Sequence, residues 1–525
     1  MKLTLPPRVS PAQFDAAIKA YEGVVGKAWV MASDADRDAY SDIYAPGSEE
    51  EWPASAAVAP ATVEEIQAIV RLANEHKTPL WPVSRGKNLG YGANAPRMPG
   101  SIVLDLGRMQ KVEELNTELG YCVIEPGVSF FDLYEHIQRE KAPLWMSVPG
   151  NAWGSVLGNA LDHGMGYTPY GQHAKNLCGM EVVLPDGDLM RTGMGAMEGN
   201  HSWHLFPLSF GPDWTQMFTQ SNMGVVTKAG LWLQPAPETS LVLTWDIPNE
   251  EDIGWVVDTI TPLKYSGLID QNVFIPSWLG KIVLKGQRKD FWDKEGAIPE
   301  WRVQELLKEH KLGYWQVQVR FYGDEAVNKA KAEVVKKAFK KHLDAAPHED
   351  WWRQGDAVNQ FDPTMGVPSA VALQMGDWVG GRGAHMGFSP VVPATSKHVL
   401  GQLKRSRKII ADHDVDFYAS FTVGGRFATN INMLMYDRDK PEQVKNMRKL
   451  FDALIVDTAK AGYGEYRTHL GWMDPVNATY NFNNGAQRRL NEKVKDALDP
   501  NGILSPGKQG VWPSAYRDMA GKREG

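Results

Sequence analysis

The run Ser84-Arg85-Gly86-Lys87-Asn88-Leu89-Gly90-Tyr91-Gly92 follows directly on the short apolar segment 80–83, and no other part of the chain narrows the fold as much. Glycine has no Cβ and takes positive φ at little cost, so such a turn brings backbone N–H groups close to whatever lies against it. A helix signal precedes it. Thr62-Val63-Glu64-Glu65 reads as a capping box, and Ile66, Ile69, Val70 and Ala73 follow at helical spacing, giving an amphipathic helix over about 62–77. Helix, strand and glycine turn in this order can cradle an anion, with Tyr91 a candidate for touching a substrate. An ordinary tight turn uses the same residues, and the loop alone does not decide between the two.

The chain continues as mixed α/β structure. Residues 101–106 and 121–128 are rich in strand formers, and 129–141 reads as a helix with Phe130, Leu133, Tyr134 and Ile137 on one face. A second glycine-rich stretch, 153–167, precedes a strand at 179–184, and two separated glycine loops can line one cofactor. Prolines in Leu233-Gln234-Pro235-Ala236-Pro237 mark a boundary. Beyond it, strands at 240–246, 314–322, 385–391 and 417–423 alternate with helices at about 251–261, 325–343, 395–412 and 441–461. From about Lys460 the chain is again glycine- and aromatic-rich. It closes on Asp499-Pro500-Asn501-Gly502-Ile503-Leu504-Ser505-Pro506-Gly507-Lys508, a turn-laden segment suited to packing back on the first domain.

A chain of 525 residues exceeds one typical core, so two large domains are expected. A hydrophobic fraction of 43%, a charged fraction of 23% and a net charge of -7 describe a soluble globular protein and argue against a polyanionic partner. The lysines at 329, 331, 336, 337, 340 and 341 share one predicted helix without interleaved aromatics, which reads as a solvated face rather than a nucleic-acid surface. Cys122 and Cys178 sit in strand-like settings and read as buried free thiols. Prolines break the first residues, and no window reaches the ~18 apolar residues of a membrane span, so a cytoplasmic protein is expected. Neither metal-binding nor nucleoside-triphosphate motifs are found. The 19 Trp, 17 Tyr and 17 Phe either fill cores or line a cavity for a flat ligand, and composition leaves both open.

Gly464-Glu465-Tyr466-Arg467-Thr468-His469 sets a phenol beside a permanently charged guanidinium. With Tyr91, Tyr466 and Arg467 could hold an oxyanion, although neighbouring Arg and Tyr are also common as structural pairs.

Several motifs in one order resemble the vanillyl-alcohol oxidase and 4-cresol dehydrogenase family, its eugenol-oxidase-like members most closely. They are Pro82-Val83-Ser84-x-Gly86-Lys87-Asn88-x-Gly90-Tyr91-Gly92, Glu125-Pro126-Gly127-Val128, Trp153-Gly154-Ser155, Gly166-Tyr167-Thr168-Pro169-Tyr170-Gly171, Gly464 to His469, and Asp499-Pro500-Asn501-Gly502-Ile503. The resemblance covers nearly the whole chain. It implies an α+β fold: a two-part FAD-binding domain, residues 1–236 and 461–525, with a cap domain inserted at 237–460. It further implies that Tyr91, Tyr466 and Arg467 bind a para-substituted phenol as phenolate. Hydride loss from the side chain's α-carbon to the flavin would then give a p-quinone methide, with O2 reoxidising the flavin to yield H2O2. The implied cofactor set is Ser84, Gly86, Lys87, Asn88, Gly90, Pro149, Gly150, Gly154, Ser155, Asn159, Gly166, Tyr167, His385 and Lys508.

Gly383-Ala384-His385-Met386-Gly387-Phe388-Ser389-Pro390 resembles the segment where oxidases of the family attach FAD, which makes His385 the expected covalent link. Relatives that pass electrons to a cytochrome carry tyrosine there, so histidine implies O2 as acceptor. A homodimer is implied by the relatives alone. Two departures stand out. Close relatives have an aspartate before Trp-Gly-Ser, whereas Pro149-Gly150-Asn151-Ala152 offers no carboxylate, and Gly150 takes its place. Val423-Gly424-Gly425-Arg426-Phe427-Ala428-Thr429-Asn430 replaces a histidine-containing segment. Both changes are expected near the substrate, which implies a roomier site able to take lignin-derived phenolic dimers. Three other readings are an enzyme using a cytochrome as acceptor, a 2-hydroxy-acid dehydrogenase on the same fold, and a flavin-binding protein without turnover.

Overall fold

The structure, a computed structural model, describes residues 1–48, 51–359 and 362–521. A four-stranded sheet runs in the order Val30–Met31, Ala56–Val58, Ile102–Asp105, Leu80–Val83, its last three strands parallel. Helix Val63–His76 covers it, packing Ile66, Ile69, Val70 and Ala73 into the core beside helix Pro11–Val25. Thr62 caps the first of these helices by accepting from Glu65 N, but the Glu65 carboxylate reaches Ala61 N instead of closing the box on Thr62. Next comes a five-stranded antiparallel sheet: Val112–Asn116, Tyr121–Ile124, Val225–Trp232, Leu177–Val183, Leu189–Arg191. Cys122 and Cys178 lie in it as buried free thiols.

The middle of the chain builds two further sheets. One is three-stranded, with Thr239–Ile247 between Trp315–Gly323 and His348–Arg353. In the other, Phe427–Asp437 pairs with Ser420–Val423, Pro390–Pro393 and Gly383–Phe388. Their shared core holds Trp245, Trp278, Trp315 and Trp378, with the Trp245 ring stacked on Phe339 at 4.2 Å. Each such buried side chain contributes about 1.5–3 kcal/mol or more by leaving water. These four tryptophans therefore fill a core. The lysine-bearing helix Glu325–Phe339 pairs Lys329 with Glu325, Lys331 with Asp270 and Lys336 with Glu333, as a solvated face should. No helix among the described residues is long and apolar enough to cross a membrane.

The C-terminal segment returns to the first sheet. Leu80 N donates to Ile503 O at 2.6 Å and Ser505 N to Leu80 O at 2.8 Å, extending the sheet past the strand that feeds the glycine loop. Fully buried Lys495 anchors this return, donating to Leu504 O at 2.7 Å and pairing with equally buried Asp499 at 2.7 Å. Burial pulls the ammonium's pKa down, while Asp499 opposes the shift. Asp499 also accepts from Ile503 N and Leu504 N, both at 2.9 Å. Breaking one partner of a buried pair strands the other charge. Lys495→Met should therefore lower unfolding free energy by about 3–5 kcal/mol in a urea titration, and a double change of Lys495 and Asp499 to apolar residues should cost less.

Candidate functional site

The glycine loop is shaped by what presses on it. Gly86, Gly90 and Gly92 have φ of +59°, +79° and +116°, and Asn88 O accepts from Tyr91 N and Ala93 N. A Cβ on Gly90 would stand 2.8 Å from His385 O and 3.1 Å from its Nδ1, and one on Gly92 would stand 2.1 Å from Leu470. The loop is thus clamped between strand Gly383–Phe388 and the segment after Arg467. In turn, a Cβ on Gly387 would lie 2.5 Å from the Tyr91 hydroxyl.

A cavity of about 550 Å³ opens beside this clamp. Its walls include Ser84, Gly86, Lys87, Asn88, Tyr91, Pro149, Gly150, Gly154, Ser155, Asn159, Tyr167, His385, Tyr466, Arg467 and Lys508, so both glycine loops, the central strand and the C-terminal segment meet there. Gly90 and Gly166 do not line it. Gly90 lies under His385, while a Cβ on Gly166 would strike Ser147 and His173, so these two glycines permit close packing behind the wall. Trp81 is the one tryptophan among the described residues that lines the cavity.

The segment Val423 to Asn430 does not stand where the sequence reading puts it. Gly424 N closes a hairpin turn on Phe427 O, and Gly424, Gly425, Arg426 and Phe427 line a separate cavity with Lys175, Lys264 and Asp270. The hairpin runs past the main cavity, leaving Thr422 and Ile431 from its two strands to face it. The bulk lost at this turn therefore gives a substrate in the main cavity no room.

Tyr91, Tyr466 and Arg467 do come together. The Arg467 guanidinium carbon sits 4.2 Å from the Tyr91 ring centroid and 5.9 Å from that of Tyr466. Strand Gly464–Glu465, paired with Pro390 and Val391, delivers the tyrosine–arginine pair. The buried Glu465 carboxyl accepts twice from Ser389 N, at 2.9 and 2.8 Å, and Gln220 holds Tyr466 O at 2.9 Å. Burial raises the Glu465 pKa well above the carboxylate range, against the opposing Ser389 N–H and Arg467. Burial likewise pushes the Tyr466 phenol up to about 12, with Arg467 opposing. Burial also works against the charge of Arg467, but Tyr91, Tyr466 and Asp162 outweigh it, so the guanidinium stays cationic. Its Nε has no partner. Asp162, the sole carboxylate among the described lining residues, accepts from Asn88 Nδ2 at 3.3 Å.

His385 shows its edge to Tyr44 at 5.2 Å, and burial drops its pKa to about 4, leaving a neutral imidazole at pH 7. Its Nδ1 is buried without a hydrogen bond. A neutral imidazole with an unsatisfied nitrogen, facing a cavity edged by two glycine loops, fits a flavin held at this wall. At Gly150 a Cβ would lie 3.3 Å from the Tyr167 hydroxyl and 4.0 Å from Ala372, so the glycine lets that hydroxyl come close to the backbone at the cavity wall. Asn151 also lines the cavity, its Oδ1 accepting from Trp153 N.

Sequence reasoning missed Asp162, Phe274, Tyr418 and Gly387. Asp162 and Gly387 stood inside motifs already noted. Phe274 and Tyr418 carry no local signal, since only the folding of the central sheets brings them to the cavity.

Comparison with known proteins agrees with this layout. An FAD binding domain model matches residues 54–193, and a model of the FAD linked oxidases' C-terminal domain matches 315–509. The chain is 33% identical over 514 residues, 97% of each chain, to the 4-cresol dehydrogenase [hydroxylating] flavoprotein subunit of Pseudomonas putida. It belongs to the vanillyl-alcohol oxidase/p-cresol methylhydroxylase family of flavoproteins. The 4-ethylphenol oxidase from Gulosibacter chungangensis superposes with a TM-score of 0.92 at 34% identity, covering 97% of this chain and 99% of that one. A 1'-carboxy-chondrochloren decarboxylase of Chondromyces crocatus is 28% identical over 95% of this chain and 98% of its own. The protein is accordingly an FAD-linked oxidoreductase with the family's two-domain FAD-binding fold.

Two outcomes follow for this family member. Gly387→Ala forces the Tyr91 hydroxyl aside and should weaken phenol binding or turnover about 10–100-fold in steady-state kinetics. His173, bonded to Asn159 and Ser147, has its pKa pushed down to about 3 by burial, assisted by Arg467. Unfolding raises that pKa to ~6.5, so the unfolded chain binds the proton first, and stability is full above ~6.5 and falls as pH drops towards the folded value. Urea midpoints between pH 7 and 5 should decline less in His173→Gln than in the parent protein.

Proposed function

We propose that the protein oxidises para-substituted phenols: 4-hydroxybenzylic alcohols, 4-alkylphenols and 4-allylphenols. What carries the reading is the fixed cation Arg467 lying over Tyr91 beside Tyr466, in the same cavity as the glycine loop and His385. These groups supply donors and a charge for an oxyanion. A phenol bound there ionises, and the phenolate's charge is delocalised onto the para carbon. Bound FAD supplies the acceptor for the hydride leaving the α-carbon. The resulting p-quinone methide loses a proton to become a carbonyl when the α-carbon bears a hydroxyl. Otherwise it adds water or forms an alkene. The relatives' printed activities on 4-cresol and 4-ethylphenol support this class.

His385 is the proposed covalent flavin ligand, for its neutral ring and orphan Nδ1. We take O2 as the acceptor, with H2O2 as product. The absence of a side chain at Gly150 in the cavity wall supports larger phenols, including phenolic dimers. A 2-hydroxy acid leaves Tyr91 and Tyr466 without a role.

Anaerobic mixing with 4-ethylphenol should bleach the bound flavin, and Arg467→Met should lower kcat/KM about 100–1000-fold. A yellow protein that no phenol bleaches refutes the function. Colour should stay with acid-precipitated protein and leave in His385→Ala. Oxygen consumption that lags far behind dye reduction would move the acceptor to a carrier protein.

A further inference from the structure

Buried tyrosine hydroxyls in this protein find partners: Tyr21 with Thr78, Tyr314 with Glu250 at 2.8 Å, Tyr322 with Thr364 O at 2.8 Å. The Tyr167 hydroxyl at the site does not. Its ring packs against Phe274 with centroids 5.1 Å apart, yet its hydroxyl makes no hydrogen bond among the described residues. An interior phenol without a partner needs a reason. The hydroxyl lines the main cavity and lies 3.3 Å from the point where a Cβ on Gly150 would sit. It therefore faces the space that a larger side chain at position 150 would occupy. Its electrostatic neighbours are Tyr418, Tyr466 and Arg467, which place it in the same compartment as the phenolate groups.

We propose that Tyr167 is a specificity residue that donates a hydrogen bond to an oxygen on the substrate's α-carbon, selecting 4-hydroxybenzylic alcohols over the corresponding alkylphenols. The inference rests on the phenol-oxidising reading above. Burial keeps the Tyr167 phenol above its ordinary pKa, so the group stays protonated and acts as a donor, not a base. As an alcohol is oxidised, the α-C–H bond breaks with the electron pair leaving as hydride to the flavin. The O–H proton then passes to water as the C=O bond forms, and Tyr167 keeps its own proton throughout. A donor at the α-oxygen draws electrons away from the reacting carbon and cannot speed hydride loss. Its contribution lies in binding and orientation, so it appears in KM.

The test uses the full-length, FAD-loaded enzyme with 4-(1-hydroxyethyl)phenol and 4-ethylphenol. The parent enzyme should prefer the alcohol in kcat/KM, and Tyr167→Phe should cut that preference about tenfold, mainly through KM, as one lost hydrogen bond would. The dissociation constant of 4-hydroxyacetophenone, followed by tryptophan fluorescence, should rise by a similar factor. Gly150→Ala narrows the space before the hydroxyl while leaving Tyr167 intact, and should lower the same preference. An unchanged preference in FAD-loaded Tyr167→Phe overturns the inference, and if that variant does not load FAD, an unchanged preference in Gly150→Ala overturns it. A parent enzyme that oxidises ethylphenol but not the alcohol also overturns it while leaving the wider function standing. Oxidation of neither phenol removes the function and the inference together.

Discussion

The site is held by a buried ion pair just behind its wall, one residue removed from the lining residues Ser221 and Ser505. Lys495 and Asp499, both without exposed surface, lock the C-terminal segment so that Ile503 and Ser505 bond either side of Leu80. That strand is four residues long and too short to position a loop alone. With the C-terminal chain laid beside it, its end becomes a fixed platform for Ser84 to Gly92. The buried pair costs solvation, which Asp499 regains in part from two backbone N–H donors and Lys495 from the carbonyls of Asn222 and Leu504. Its value is in registration: a pair one helical turn apart gathers Asn222 O, Leu504 O and the N–H groups of Ile503 and Leu504 around one point.

Charge is arranged with similar economy. The described lining of the cavity holds the cations Lys87, Lys281, Arg467 and Lys508 against the single carboxylate of Asp162. Glu465, two residues before Arg467, turns its carboxyl to Ser389 N, and burial raises its pKa well above the carboxylate range. Arg467 is left to answer to phenols and to Asp162, and the compartment retains an excess of positive charge suited to anionic guests.

Much of this could be read from the chain because the informative residues are local. Helix Val63–His76 showed itself by apolar spacing and a cap, and the glycine loops by composition. Tyr91 and the Tyr466–Arg467 pair gained a role only through motif resemblance, since nothing in their spacing says that they meet. The eleven-residue strand Phe427–Asp437 was not legible, because it opens on Gly–Arg turn residues and alternates Asn with apolar side chains that look like a polar loop. In the structure Asn430 and Asn432 are buried and hydrogen-bonded, which reverses that appearance. The turn before it was misplaced for a related reason: sequence adjacency to strands that reach the cavity does not reveal how far a hairpin overshoots it. Phe274 and Tyr418 were invisible, since their place depends on sheet register alone.

The two glycines at the clamp interlock like gear teeth. Gly90 makes room for His385, and Gly387, two residues beyond His385, makes room for the hydroxyl of Tyr91, the neighbour of Gly90. Neither interface has room for a side chain, so the imidazole and the phenol each rest on the other's backbone. Were a ligand at one of them to shift the other, each would alter the other's affinity by the same factor. A cofactor tethered there would act as a wedge that sets the substrate pocket, and a bound phenol would in turn tighten the grip on the tether.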